Sequence, residues 1–248
     1  LFFRMGDFYE LFHEDAKSAA KVLGLTLTSR DKANTVPMAG FPHHQLDSYL
    51  AKLIKKGHRV AVCEQVEDPK KAKGLVKREV TQLVTPGTIV DSDLLDPTQS
   101  NYLTAVFPAW FVDKKAVDRF GVAWADISTG QFVVTVVPKD GLEGLLQRLN
   151  SAEILLPEKV GESLDETLAN FQPGSRTNRP DWAFGREASE NLLHKQLNVA
   201  TLDGFAIDSF GPAAVCAAGA VIEYLRETQK SVLEHVDSIR PFHVSDYV

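Results

Sequence analysis

Two stretches of the sequence carry side chains whose type and spacing could do chemistry. The first is Arg4-Met5-Gly6-Asp7-Phe8-Tyr9-Glu10, where aromatic rings stand among carboxylates and a guanidinium. An exposed ring can stack on a flat π-face, and proteins that kink DNA insert apolar side chains between base steps through the minor groove. A carboxylate beside such a ring is repelled by phosphates unless it meets a base-edge donor or takes up a proton. The same residues admit a structural role. Asp7 and Glu10 stand three apart, the spacing of a helix-capping box with Asp in place of Ser or Thr. Phe8 then starts an apolar stripe that continues through Leu11, Phe12, Ala16, Ala19, Ala20 and Leu23. The second stretch is Trp124-Ala125-Asp126-Ile127-Ser128-Thr129-Gly130, in which Asp126 closes a strand-like run before a tight turn. A carboxylate so placed on a ribonuclease-H-like sheet could bind a catalytic metal, making the chain a metal-dependent nuclease. That chemistry needs several converging carboxylates and Mg²⁺, and the sequence offers Asp126 no convincing partners. The alternative is an Asp that accepts hydrogen bonds from the turn that follows it.

Other signatures are missing. There is no Gly-Lys-Ser/Thr phosphate loop, no Gly-x-Ser-x-Gly, no His-Glu-x-x-His and no cluster of Cys and His pairs. His43 and His44 are adjacent, and neighbours at a helix start do not face one ligand. Two cysteines, Cys63 and Cys216, exclude a disulfide scaffold and a multi-cysteine zinc module. Free cysteines and the lack of an export signal lead us to expect a reducing cytoplasm. No apolar run reaches the roughly 18 residues of a membrane-spanning helix. The chain opens on Leu1-Phe2-Phe3-Arg4 and is expected to be an excised piece of a longer protein.

The elements that must position these residues follow from periodicity. The chain has 248 residues, 44% of them hydrophobic and 24% charged, enough apolar material for one large domain or two ordinary ones. Turn formers and acids without periodicity place a linker at 86–100. Before it, we expect a small mixed α/β domain over 1–90: a strand at 1–5, a helix from about Phe8 to Leu23 capped by Asp7, a helix at 44–56, and strands at 59–65 and 76–85. A basic loop, Asp68 to Gly74, joins the last two. After the linker, strands at 102–107, 121–127 and 131–137 form a meander. Helix 140–149, strand 153–156, and helices 158–169, 186–197 and 212–228 follow. Antiparallel strands followed by alternating helices suggest a ribonuclease-H-like α/β sheet over 99–229. The net charge of −6 is uneven: residues 1–90 carry 14 Lys and Arg against 10 Asp and Glu, and the rest carry 13 against 23. A mildly basic half and an acidic half suggest different partners.

Four ordered stretches carry a resemblance: Phe3 to Phe12, Pro37-Met38-Ala39-Gly40-Phe41-Pro42-His43-His44, Val62-Cys63-Glu64-Gln65-Val66-Glu67-Asp68-Pro69, and Val84-Thr85-Pro86-Gly87-Thr88. Together with Asp126 to Phe132 and Ala217-Ala218-Gly219-Ala220, they make the chain resemble the MutS family of bacterial DNA mismatch-repair proteins over nearly its whole length. The resemblance implies a mismatch-recognition domain at 1–90, a ribonuclease-H-like connector without nuclease activity at 99–229, and the start of a core domain at 230–248. It implies that Phe8 stacks as a wedge on the mispaired base and that Glu10, its partner in Phe-x-Glu, bonds that base's edge. Arg4, Met5, Asp7, Arg30, His43, His44, Lys70, Lys71, Lys77 and Arg78 are possible DNA contacts, with Lys52, Lys55, Lys56 and Lys73 as further cations. The implied partners are mismatched duplex DNA and, through the connector, MutL. A homodimer is expected only of the full-length protein, and this piece is expected to be monomeric, nucleoid-associated and not membrane-bound. It is expected to have no catalytic residue, metal or cofactor of its own, because ATP and Mg²⁺ belong to an ATPase domain outside it.

Overall fold

The computed structural model describes the chain except for residues 32–34, 68–73, 92–93, 116–117, 161–163, 165–167, 169–173, 206, 230–232, 234 and 244–248. It divides into two compact units, Leu1–Thr85 and Pro86–Val248.

Among the described residues, unit 1 is a six-stranded mixed sheet with two α-helices. Its elements are β1 (Phe2–Met5), β2 (Phe8–Phe12), α1 (His13–Leu23), β3 (Thr28–Ser29), β4 (Pro37–Pro42), α2 (Leu46–Ile54), β5 (Val60–Gln65) and β6 (Arg78–Val84). The strand order is β3-β4-β2-β1-β5-β6. β1 runs parallel to β5 and antiparallel to β2. Phe2, Tyr9, Leu11, Ala39, Phe41 and Val62 form the core with Ala16, Ala19 and Leu23 of α1 and Leu50, Leu53 and Ile54 of α2. The Phe41 ring lies 4.9 Å from Phe2 and 4.5 Å from Tyr49. Gly24, at φ +70°, ends α1 in the left-handed conformation.

This corrects the expected helix from Phe8. Residues Phe8–Phe12 are a strand, and the helix starts only at His13. The expected capping box is absent as well: the residue before α1 is Phe12, with no side-chain cap, and Asp7 lies in the preceding turn. The reason is pairing. β2 has a partner on each side, so its backbone groups are satisfied by sheet hydrogen bonds, and Tyr9 and Leu11 point inward with a period of two. Two strands, β3 and β4, also went unexpected. The basic loop at 68–74 falls mostly outside the described residues.

Unit 2 contains β7 (Leu103–Pro108), β8 (Arg119–Asp126), β9 (Gln131–Pro138), α3 (Lys139–Leu149), β10 (Glu153–Pro157), β11 (Arg176–Arg179), α4 (Arg186–Leu197), α5 (Pro212–Gln229) and β12 (Arg240–Pro241). The sheet order is β11-β10-β7-β8-β9-β12. β7, β8 and β9 form an antiparallel meander, and β10 and β11 add to β7 in parallel. This is the ribonuclease-H-like arrangement expected from the strand pattern, with β11 and β12 as strands the pattern did not disclose. Of the expected helix at 158–169, Glu158–Val160 is a short 3₁₀ turn, and most of the rest lies outside the described residues.

Alternation along β8 sorts the two layers. Phe120, Val122 and Trp124 pack with Leu142, Leu145 and Leu146 of α3. Ala123 and Ala125 face the alanine-rich α5. Gly121 lies under the start of that helix: a Cβ there would stand 2.1 Å from the Ala213 carbonyl oxygen. The segment expected to open the linker is instead buried, since Pro86–Thr88 form a 3₁₀ turn in the core of unit 2. The Glu153 carboxylate, fully buried, accepts from Gly87 N (3.1 Å), Thr177 Oγ1 (2.6 Å) and Tyr224 Oη (2.8 Å). Gln229 Nε2 donates to the Thr88 carbonyl at 2.6 Å. Both cysteines are buried and free, and burial pushes the Cys216 thiol up to about 12.

Gly121→Ala is therefore expected to destabilise unit 2 by about 1–3 kcal/mol or more, because backbone rather than a mobile side chain blocks the new methyl. All three tryptophans, Trp110, Trp124 and Trp182, lie in unit 2. Denaturant unfolding followed by tryptophan fluorescence checks it directly, and an unshifted midpoint would refute the close packing.

Candidate nucleic-acid interface

β1 and β2 are joined by the two-residue turn Gly6-Asp7, closed by the pair Met5 and Phe8. Gly6 has φ +60°, the conformation that the first central residue of a tight hairpin requires and that glycine adopts freely. The Asp7 carbonyl accepts from His43 N at 2.9 Å, and His43 Nδ1 lies 3.1 Å from the same oxygen. The turn is thus fastened from the end of β4.

Helices cover one face of this sheet at β2, and the alternation of β2 places Phe8, Glu10 and Phe12 on the other. Phe8 is 48% exposed. Its cross-strand neighbours are Met5 and Pro42, and those of Glu10 are Phe3 and Gly40. Gly40 leaves room beside Glu10, since a Cβ there would lie 3.8 Å from Glu10 Cγ and 3.0 Å from the Tyr9 carbonyl oxygen. Arg30 Nη1 stands 3.9 Å from Glu10 Oε2, and its guanidinium lies 5.3 Å from the centre of the Phe12 ring. The arrangement is an exposed ring and a partly exposed acceptor carboxylate two residues apart on one sheet face. It can stack on a flat apolar face and accept a hydrogen bond beside it.

The loop that carries Arg30 is organised by Asp31. Its carboxylate accepts from Ser29 Oγ (2.7 Å), Thr35 N (2.9 Å), Thr35 Oγ1 and Val36 N (3.1 Å). These bonds, the Thr35 hydroxyl first, hold the carboxyl well below the usual carboxylate range.

The structure brings Met5, Asp7, Phe8, Glu10, Arg30 and His43 to this turn and its flanks, and leaves His44 exposed on the following 3₁₀ turn. The other candidate cations are distributed differently. Arg4 and Arg78 have internal partners. Arg4 Nη1 lies 3.9 Å from Glu64 Oε2. Arg78 Nε donates to the Arg4 carbonyl at 2.8 Å, and its guanidinium sits 5.4 Å from the Phe3 ring centre. Lys77 pairs with Glu79 at 2.6 Å, by the edge strand β6. Lys52 lies over the Tyr49 ring, and Lys55 and Lys56 are exposed after α2. Lys70, Lys71 and Lys73 lie outside the described residues. Sequence reasoning passed over Gly40, whose signal was only its place in the Pro37–His44 run.

Asp126 is 3% exposed. Its Oδ1 accepts from Ser128 N (3.0 Å) and Ser128 Oγ (2.6 Å), and its Oδ2 from Asn101 N (3.0 Å). The carboxylate is thus occupied in shaping the turn. Among the described residues no group of three or more His, Cys, Asp and Glu side chains is placed to hold a metal ion, and no helix is long and apolar enough to cross a membrane.

Comparison with known families decides what chain this is. Residues 1–93 match the family described as MutS domain I, and residues 101–237 match MutS domain II. The chain belongs to the MutS family. A MutS relative from Rhodopirellula baltica, named DNA mismatch repair protein MutS, is 50% identical over 254 aligned positions, which cover 96% of this chain and 28% of the relative. Relatives of the same name from Dehalococcoides mccartyi and Solibacter usitatus are each 42% identical, over 100% and 96% of the chain. The chain spans 26–28% of the length of these MutS relatives.

The bonds to Asp31 generate a pH dependence. A carboxyl whose pKa is lowered on folding stabilises the folded loop above its unfolded pKa, near 4. That stabilisation fades as the pH falls below 4 toward the folded value. Amide exchange at Thr35 and Val36 should speed up in that acid range, beyond its intrinsic trend, and Asp31→Ala should show fast exchange already at pH 7. Equal protection in both chains would remove Asp31 as the organiser of the loop.

Proposed function

We propose that unit 1 recognises mismatched or bulged duplex DNA in mismatch repair, with Phe8 stacking on the mispaired base from the minor groove and Glu10 bonding that base's edge. The observation that carries this reading is the placement of the two side chains together on the sheet face opposite the helices, beside a turn held by His43. The names of the MutS relatives support it. A mispaired or bulged base is weakly held, so unstacking it costs less than the few kcal/mol of a paired step. One ring then serves many lesions, because every base has a π-face worth about 1–3 kcal/mol of stacking. Deformability is read in place of sequence. Lysines and arginines of unit 1 supply phosphate contacts that set register. Unit 2, which carries most of the acidic excess, acts as a connector that engages MutL and relays between DNA and an ATPase. ATP and Mg²⁺ would be handled by parts of the longer relatives outside these two domains, in a homodimer.

Competition titration of bulged against matched duplex tests the site. Phe8→Ala is expected to fold normally, since the ring is half exposed, and to lose most of the preference; a core phenylalanine would instead cost about 3–5 kcal/mol. Glu10→Gln and Glu10→Ala are expected to lower the bulge-to-match ratio mainly by tightening the matched complex, because the carboxylate's repulsion from phosphates penalises the wrong partner. Retention of the ratio in all three variants would reject the reading. For the basic loop, Lys70→Ala or Lys71→Ala should weaken both duplexes alike and flatten the salt dependence by about 0.9 in log–log slope per lost phosphate contact. A change confined to mismatch preference would contradict a backbone role.

A further inference from the structure

The stretch Val62 to Gln65 has no part in the reading above, yet its two polar side chains reach the elements that hold Phe8. β5 pairs in parallel with β1, with Val62 beside Phe2 and Cys63 beside Phe3. Alternation then sends Glu64 to the inner face with Val62 and Gln65 to the outer face with Cys63. On the inner face the Tyr9 hydroxyl donates to Glu64 Oε1, while Arg4 stands beside the other carboxylate oxygen and lies over the Tyr9 ring, 5.5 Å from its centre. On the outer face the Gln65 amide has Gly6 N and Arg78 Nη2 each at 3.2 Å, and in the amide orientation that satisfies both donors its oxygen accepts from them. Arg78 in turn donates to the Arg4 carbonyl. The two residues that follow Cys63 therefore hold both ends of the structure that presents Phe8: its chain neighbour Tyr9, and the glycine of its turn.

We infer that Glu64 is a positioning residue for Phe8, acting through Tyr9, with Gln65 steadying the Gly6-Asp7 turn. The inference rests on the reading of Phe8 as the stacking ring. A half-exposed ring has few contacts of its own, so its direction is set by the rotation of β2 about its axis. Tyr9 is the residue that resists this rotation. Its ring is wedged between Phe2 and Phe41, at 6.0 and 5.6 Å, and its far end is tethered across β1 to Glu64. Burial and the neighbouring carboxylate push the Tyr9 phenol up to about 12, so it stays a donor at every pH at which the protein would work. Glu64 is 32% exposed, which lets water solvate it when the tether is cut. Tyr9→Phe thus removes the tether and keeps the core ring.

The test uses the 248-residue chain with Tyr9→Phe, Glu64→Ala and Glu64→Gln, beside Phe8→Ala. Without DNA, amide exchange at Gly6, Asp7 and Phe8 is expected to quicken about 3–10-fold in Tyr9→Phe and Glu64→Ala, on the scale of one ordinary lost hydrogen bond whose freed carboxylate water can solvate, while amides of β7–β9 keep their rates. With DNA, the bulge-to-match affinity ratio is expected to fall about 3–10-fold with matched binding unchanged. The fluorescence of 2-aminopurine placed beside the bulge should report weaker stacking. Glu64→Gln keeps an acceptor for the Tyr9 hydroxyl and is expected to retain most of the ratio. A purely structural role would lower the melting temperature and leave the ratio alone. If Glu64→Ala fails to fold, Tyr9→Phe decides by itself. An unchanged ratio in Tyr9→Phe, in a chain whose preference is lost with Phe8→Ala, overturns the inference. Equal binding of both duplexes by the unmodified chain overturns the reading of Phe8 instead, and the exchange rates still show whether Glu64 holds the turn.

Discussion

Side chains of a β-strand alternate between the two faces of the sheet, and in β2 that period of two separates what holds unit 1 together from what unit 1 displays. Tyr9 and Leu11 go into the core beneath α1 and α2; Phe8, Glu10 and Phe12 go to the other face. A helix could not do this with the same residues, because positions two apart on a helix do not face together. The spacing Phe-x-Glu thus acquires its meaning from the strand. The pairings on either side of β2 then decide what surrounds the ring: a methionine and a proline across from Phe8, a glycine across from Glu10. A slip of one residue in register would bury Phe8 and Glu10 and expose Tyr9.

Much of unit 2 could be read from its sequence because most of its longer elements have one clear period and a punctuated end. The β8–β9 hairpin turns at Ser128-Thr129-Gly130, α3 buries Leu142, Leu145 and Leu146 at helical spacing, and α5 is an alanine-rich run buried over most of its length. Unit 1 was less legible for two physical reasons. In β2 and α1, strand and helix join without a breaker, and Phe8, Leu11 and Phe12 fit a helical stripe as well as they fit a strand. Only the pairing with β1 and β4 distinguishes the two. In β4, Pro37, Gly40 and Pro42 are residues that argue against a strand. They are tolerated because Pro37 and Pro42 stand at its ends and Gly40 sits where a side chain would crowd the Tyr9 carbonyl. The candidate residues Phe8 and Glu10 could be named from motif alone. The support beneath them could not, because Glu64 and Gln65 reach Tyr9 and Gly6 through sheet neighbours more than fifty residues away in sequence.

The electrostatics of unit 1 are also rearranged by the fold. A count of lysines and arginines treats each as available, but Arg4 and Arg78 spend their donors on Glu64, on backbone carbonyls and on aromatic faces. They stiffen the hairpin that carries Phe8. Arg30 stands beside the carboxylate of Glu10 on a loop whose shape depends on Asp31. The charge that remains uncommitted on the sheet's open face is therefore smaller than the composition suggests.

The buried Glu153 has a consequence for the order in which the chain matures. It binds the first turn of unit 2 through Gly87, and the same turn is held by Gln229 at the end of α5, 141 residues further on. Unit 2 therefore cannot close until α5 exists, whereas unit 1 has all its strands once Thr85 has been made. At roughly 5–20 residues per second of synthesis, α5 is completed about 7–29 s after unit 1. A nascent chain passes through an interval in which the strands of unit 1 are all made and unit 2 is still an open polypeptide, with the alanine-lined face of β7 and β8 waiting for its helix.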